Sequence, residues 1–169
     1  MRRGSTKQQI VALIEKLRAM IPEVVIRTSF IVGFPGETEQ DFEELLAFMR
    51  EMKFERLGIF KYSQEEGSPA AGFPEQVPER IKEERYHRAM QLQQEIVREV
   101  NLRFLGRELR VLIETQDEKN PSFWSGRSYM DAPEIDGSVL VHTSKKITAG
   151  KFYTVKITDI QDYDLIGQI

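Results

Sequence analysis

Ile10, Leu13, Ile14, Leu17 and Met20 recur at spacings of three and four, which predicts an amphipathic helix over residues 6–20 with one apolar stripe. Ser5 or Thr6 suits its N-cap, and Pro22 stops it. The stretch 24–32 is β-branched and mostly apolar, the composition of a strand covered on both faces of a parallel sheet. The turn Gly33-Phe34-Pro35-Gly36-Glu37-Thr38 follows. Thr38 with Asp41 predicts a capped helix over about 39–52, its stripe Phe42, Leu45, Leu46 and Met49. A short strand over 56–62 completes a β-α-β unit.

That unit is incomplete as a domain. Two parallel strands leave both edges unpaired, and an apolar strand needs cover on its second face. The first half therefore reads as a piece of a larger α/β sheet or barrel. Residues 63–78, with Gly67, Pro69, Gly72, Pro74 and Pro78, form a loop or linker. A helical pattern then runs from Glu79 to Phe104, on the order of 40 Å if continuous, and Gly106 ends it. From Glu108 the period becomes two: 109–114, 139–142 and 152–159 alternate, Leu165-Ile166-Gly167 supplies a last short strand, and Asp136-Gly137 and Ala149-Gly150 mark turns. About sixty residues of this kind predict a small five-stranded antiparallel barrel of the OB-like type.

Composition narrows the chemistry. The 169 residues include no cysteine, which excludes a disulfide framework, a thiol nucleophile and a cysteine-held zinc or iron–sulfur site on this chain. Net charge is -3 with a pI near 5.6 and no basic half, an unfavourable balance for phosphate-backbone binding. The opening Met1-Arg2-Arg3-Gly4-Ser5 lacks the apolar core of a secretory signal, and no apolar run spans a bilayer. The expectation is a cytoplasmic protein with no membrane partner.

Three local patterns carry candidate chemistry. The strand–turn–helix at 31–38 places glycines where a ligand can approach the backbone and free N–H groups favour an anion; it has neither a Walker nor a Rossmann spacing, and a tight turn without a ligand explains it equally. Arg27, inside an apolar strand, suits either a ligand carboxylate or ribose or an ion pair with a helix Glu. The run 126–137 mixes Arg127, Tyr129, Asp131, Glu134 and Asp136, a composition for recognising a basic protein segment with Tyr129 as anchor, or simply a polar hairpin. His87 and His142 have no partners at a triad or metal spacing.

Arg27-Thr28-Ser29-Phe30-Ile31-Val32-Gly33-Phe34-Pro35-Gly36-Glu37-Thr38 with Asp41-Phe42, then Tyr62-Ser63 and Glu65-Glu66-Gly67-Ser68-Pro69-Ala70, then Lys82-Glu83-Glu84-Arg85, resembles the radical S-adenosylmethionine methylthiotransferases over essentially the whole chain. The closing barrel resembles the TRAM domain that ends these enzymes. Met1-Arg2-Arg3-Gly4-Ser5 and, more specifically, Asp131-Ala132-Pro133-Glu134-Ile135-Asp136-Gly137 resemble the RimO branch, which modifies an aspartate of a small-subunit ribosomal protein. The tRNA-modifying MiaB branch is the nearest alternative.

The resemblance implies an α/β plus all-β architecture: residues 1–77 as the C-terminal part of a TIM-like radical S-adenosylmethionine partial barrel, 78–104 as a connecting helix and 105–169 as the TRAM domain. It implies S-adenosylmethionine and two iron–sulfur (4Fe-4S) clusters in the full-length enzyme. The cluster cysteines would lie in N-terminal domains of the same polypeptide, leaving this chain no catalytic or metal-ligating residue. Cofactor contacts fall on Ile31, Val32 and Gly33, on Phe60, Lys61 and Tyr62, and on Arg27. The superfamily pattern Gly-x-Ile-x-Gly-x-x-Glu is met imperfectly, with Ser29 in place of the first Gly and Glu37 one residue late. In the intact enzyme the implied reaction cleaves S-adenosylmethionine, abstracts hydrogen from the aspartate β-carbon and inserts a methylthio group. The ribosomal protein would be recognised through Arg127, Tyr129, Asp131, Glu134 and Asp136. A rival from another class is an RNA-binding barrel, which the charge balance disfavours.

Overall fold

A computed structural model describes residues 4–169; Met1, Arg2 and Arg3, part of the resemblance above, lie outside the described residues. The chain divides into two compact units, one ending at Gln93 and one running from Gln94 to Ile169. Helix α3, Glu79–Asn101, contributes to both.

In the first unit, α1 (Lys7–Met20) starts at a capping box. Thr6 accepts from Gln9 N, and Gln9 returns a side-chain oxygen to Thr6 N. Strand β1 (Arg27–Val32), helix α2 (Glu39–Met52) and strand β2 (Arg56–Lys61) form the β-α-β unit, with β1 and β2 parallel and Ile31 opposite Phe60. The strand begins three residues later than its composition predicts, because β2 begins only at Arg56. Ile26 instead gives its N–H to the Glu55 carboxylate at 3.0 Å and its carbonyl to Arg56 N. Both helices cover one face of this sheet. Ile14, Met52 and Phe54 are buried there, with Val11, Ile26, Phe30, Phe48 and Leu57 packed on them, and Phe30, Phe48 and Phe54 meet at tilted or edge-on angles.

The other face is bare: Ser29 and Ile31 of β1 and Phe60 of β2 are exposed. The apolar stripe of α1 is likewise only half used. Ile14 is buried, but Ile10, Leu13 and Met20 are exposed.

The second unit is a closed barrel. Its strands β3 (Glu108–Gln116), β4 (Phe123–Arg127), β5 (Val139–His142), β6 (Phe152–Gln161) and β7 (Asp164–Gln168) pair in the order β3-β4-β5-β7-β6 and back to β3. Alternation sends Val111, Ile113, Val139, Val141, Val155, Ile157 and Leu165 inward, all essentially buried. Two details correct the sequence reading. The barrel is mixed rather than wholly antiparallel, because β7 turns back from β6 and runs parallel to β5. Gly126 and Arg127 belong to strand β4 rather than to the loop. Gly126 is needed there because a Cβ would collide with the Leu112 carbonyl. The predicted long helix stops at Asn101 and tightens into a 3-10 turn, Leu102–Phe104.

Candidate functional site

The C-terminal ends of β1 and β2 open onto a cleft of about 1070 Å³ within the first unit. Parallel α/β sheets place ligands at this end of their strands, where the loops diverge. Its walls are mostly apolar: Ile31 from β1, Phe34 from the following turn, Tyr62 after β2, and Pro69, Ala70 and Phe73 from the 3-10 segment Pro69–Gly72 and its end. Phe34 meets Tyr62 and Phe73 edge-on, with ring centres 5.2 and 6.2 Å apart. Polar groups enter from Lys61, Ser63, Glu65 and Ser68. Ser63 donates to Glu65 at 2.7 Å, and the Tyr62 hydroxyl is buried without a hydrogen-bond partner.

Lys61 is paired with two carboxylates of α3, Glu79 at 2.9 Å and Glu83. Glu83 first and Glu79 second hold the ammonium above its ordinary pKa, and Lys61 lowers both carboxylates in return. It is therefore a fixed cation on the rim, with no role for a neutral amine.

Four amides of the β1–α2 turn are already bonded within the protein. Gly33 N donates to the Glu37 carboxylate at 2.9 Å, Gly36 N to Glu75 O, Glu37 N to Phe34 O and Thr38 N to Asp41, and Pro35 has no N–H. Gly33 has φ +74°, and the space a Cβ would fill holds the methylene stem of Lys82. Close approach at this glycine is by the protein's own lysine. Arg85 braces the same turn from α3: its Nη1 donates to Glu37 Oε1 at 2.7 Å and to the Glu37 carbonyl at 3.0 Å, and Nη2 lies 3.3 Å from Glu39.

Of the residues singled out in the sequence, Ile31, Lys61 and Tyr62 come together on the cleft. Val32 is buried on the helix-covered face and Gly33 beneath the turn, while Phe60 is exposed on the bare face. Arg27 begins β1, five residues and roughly 16 Å along the strand from Val32. The aromatic cleft residues missed in the sequence are Phe34, which lay inside the quoted motif, and Phe73, whose signal is a lone aromatic in a Pro- and Gly-rich loop; Ser63, Glu65, Ser68, Pro69 and Ala70 were quoted in motifs but not assigned to a site.

In the barrel unit, Arg127 pairs with Glu114 on neighbouring β3 at 2.9 Å. Asp131 and Asp136 shape the β4–β5 loop. Asp131 accepts from the Ser128 hydroxyl at 2.7 Å and from its N–H, and Asp136 accepts from Ala132 N at 2.7 Å. The loop so folded leaves Tyr129, Glu134 and Ile135 exposed, Ile135 at 76%. His142 meets Phe123 at a tilt, with ring centres 5.0 Å apart. Among the described residues no group of acidic or histidine side chains could hold a metal ion, and no helix is long and apolar enough to cross a membrane.

Residues 105–169 match the TRAM domain family. The whole chain is 54% identical to the ribosomal protein uS12 methylthiotransferase RimO of Desulforamulus reducens, covering 38% of that protein. It is 51% identical over 99% of its length to the RimO protein of Pelotomaculum thermopropionicum, and 45% identical over all of it to that of Protochlamydia amoebophila. The chain spans a little over a third of the length of these relatives, 36 to 38%.

Proposed function

The chain belongs to the methylthiotransferase family of these relatives, and on that premise we propose that it is the C-terminal portion of an enzyme that adds a methylthio group to the β-carbon of an aspartate in a small-subunit ribosomal protein. The geometric observation that carries this reading is the apolar cleft at the C-terminal ends of two parallel strands whose opposite, bare face needs further strands to cover it. A barrel completed by other parts of the polypeptide would enclose that face, and the exposed stripe of α1 would meet a neighbouring helix.

S-adenosylmethionine fits the cleft in part. Flat apolar walls at Ile31, Phe34 and Tyr62 suit a purine, and polar groups at Lys61 and Ser63 suit a ribose. The turn contributes shape, its Gly33, Gly36, Glu37 and Thr38 amides being bonded within the protein. When bound with a reduced cluster, the cofactor supplies radical chemistry; this chain, without cysteine, positions it. Val32 and Gly33 would support the wall from behind, Phe60 would face the barrel interior, and Arg27 would act deeper in it. The two 4Fe-4S clusters would be held elsewhere in the polypeptide, so the 169-residue chain alone should be inactive. Cleavage of S-adenosylmethionine by this chain after iron–sulfur reconstitution would sink that part of the proposal.

The TRAM barrel would carry substrate recognition, with Tyr129 and Glu134 touching the ribosomal protein and Asp131, Asp136 and Arg127 holding the loop that presents them. Action on a ribosomal protein places the enzyme in the cytoplasm. A tRNA-directed reading makes an opposite prediction in one titration of the full-length enzyme. We expect binding to the ribosomal protein that Tyr129→Ala weakens about tenfold, the size of an aromatic anchor. Tight, steeply salt-dependent tRNA binding with none to the protein would reverse the assignment.

A further inference from the structure

Arg85 is 5% exposed and lies 48 residues from the turn it holds. It bonds both the side chain and the main chain of Glu37, at 2.7 and 3.0 Å, so it fixes the carboxylate's direction and the backbone path together. That carboxylate in turn accepts from Gly33 N at 2.9 Å. The guanidinium rests 5.5 Å from the centre of the Phe42 ring. One turn earlier on α3, Lys82 seats its stem on Gly33. The chain Arg85–Glu37–Gly33 ends one residue short of Phe34, which forms a wall of the cleft and touches both other aromatic walls.

We propose that Arg85 is a positioning residue for cofactor binding: acting through Glu37, it sets the height of the Gly33–Phe34 backbone and so the width of the cleft. This rests on the reading that the cleft receives S-adenosylmethionine. A lysine at position 85 keeps the charge but lacks the fork that reaches side chain and carbonyl at once.

The test uses two variants of the full-length, cluster-loaded enzyme, Arg85→Lys and Glu37→Ala. Each should weaken equilibrium binding of S-adenosylmethionine about tenfold, with the cleavage rate at saturating cofactor within about twofold of wild type, because the loss is in binding rather than in the reacting groups. The double variant should bind no worse than the weaker single, since both break one link. Unchanged affinity, additive losses, or a fall in saturated rate without a fall in affinity would overturn the proposal. Amide exchange without cofactor separates the two layers of the argument. Gly33 N–H should exchange at least about tenfold faster in both variants, while Tyr62 N–H, bonded to Val32 O at 2.9 Å, stays protected. Unchanged Gly33 exchange overturns the clamp itself; faster exchange with unchanged affinity overturns its link to cofactor binding and leaves the cofactor reading standing, whereas a wild-type enzyme whose Phe34 and Tyr62 amides exchange no more slowly when S-adenosylmethionine is added overturns that reading.

Discussion

Gly33 shows how one residue type can be anticipated correctly and for a different reason. Its place after an apolar strand signals a backbone that must be approached closely, and that is so, but the approaching group is the Lys82 stem from a helix nearly fifty residues on. Nothing local in the sequence pairs those two positions. Gly33→Ala meets both a left-handed φ of +74° and an occupied Cβ site, so it should destabilise the first unit by about 2 kcal/mol. Urea denaturation of the full chain measures this. A loss below about 0.5 kcal/mol, within the range of ordinary surface substitutions, would show that Lys82 moves aside and the backbone relaxes.

At the scale of elements, legibility follows the distance between partners. The capping box of α2 is complete, with Thr38 accepting from Asp41 N at 3.1 Å and Asp41 from Thr38 N at 2.8 Å; every partner lies within three residues, so the sequence displays it. Strand β4 is the contrary case. Phe-Trp-Ser-Gly-Arg shows no apolar–polar alternation, because one of its inward positions, Gly126, is a glycine chosen by the carbonyl of distant Leu112. Removing the cap by Thr38→Ala should cost about 1 kcal/mol at neutral pH. The start of α2 is also acid-sensitive. Arg88 foremost lowers the Glu39 carboxyl, and the Thr38 hydroxyl foremost lowers Asp41. Folded pKa values below the unfolded ones give stability that is present above the ordinary carboxylate range and is lost as pH falls through the folded values. Carboxyl titration by NMR should therefore show both groups below 4.5 and 3.8 respectively, and either midpoint at or above those values would remove the effect.

On the scale of the whole molecule, the two units solve the problem of strand edges differently. The barrel closes on itself and has no free edge, whereas the β1–β2 sheet keeps two edges and a bare face. The sequence showed the second fact as a surplus of apolar positions, and the first only as a count of short strands. The β5–β7 pairing, set by how far β6 carries the chain before it turns, left no local trace. In hydrogen exchange of the 169-residue chain, Val155 and Leu165 amides in the barrel should outlast Phe30 and Ile59 amides in the open sheet by at least about tenfold. Equal protection would mean that the two-stranded sheet is stable without further cover.

The position of β7 also bears on when the molecule can finish folding. Residues 164–168 sit between β5 and β6, pairing with both, and they are the last of the five barrel strands in chain order. While they are still inside the ribosomal exit tunnel, β5 and β6 each carry an unsatisfied edge. A barrel built this way cannot close before β7 has emerged, so its vulnerable interval for strand-to-strand aggregation lasts until then.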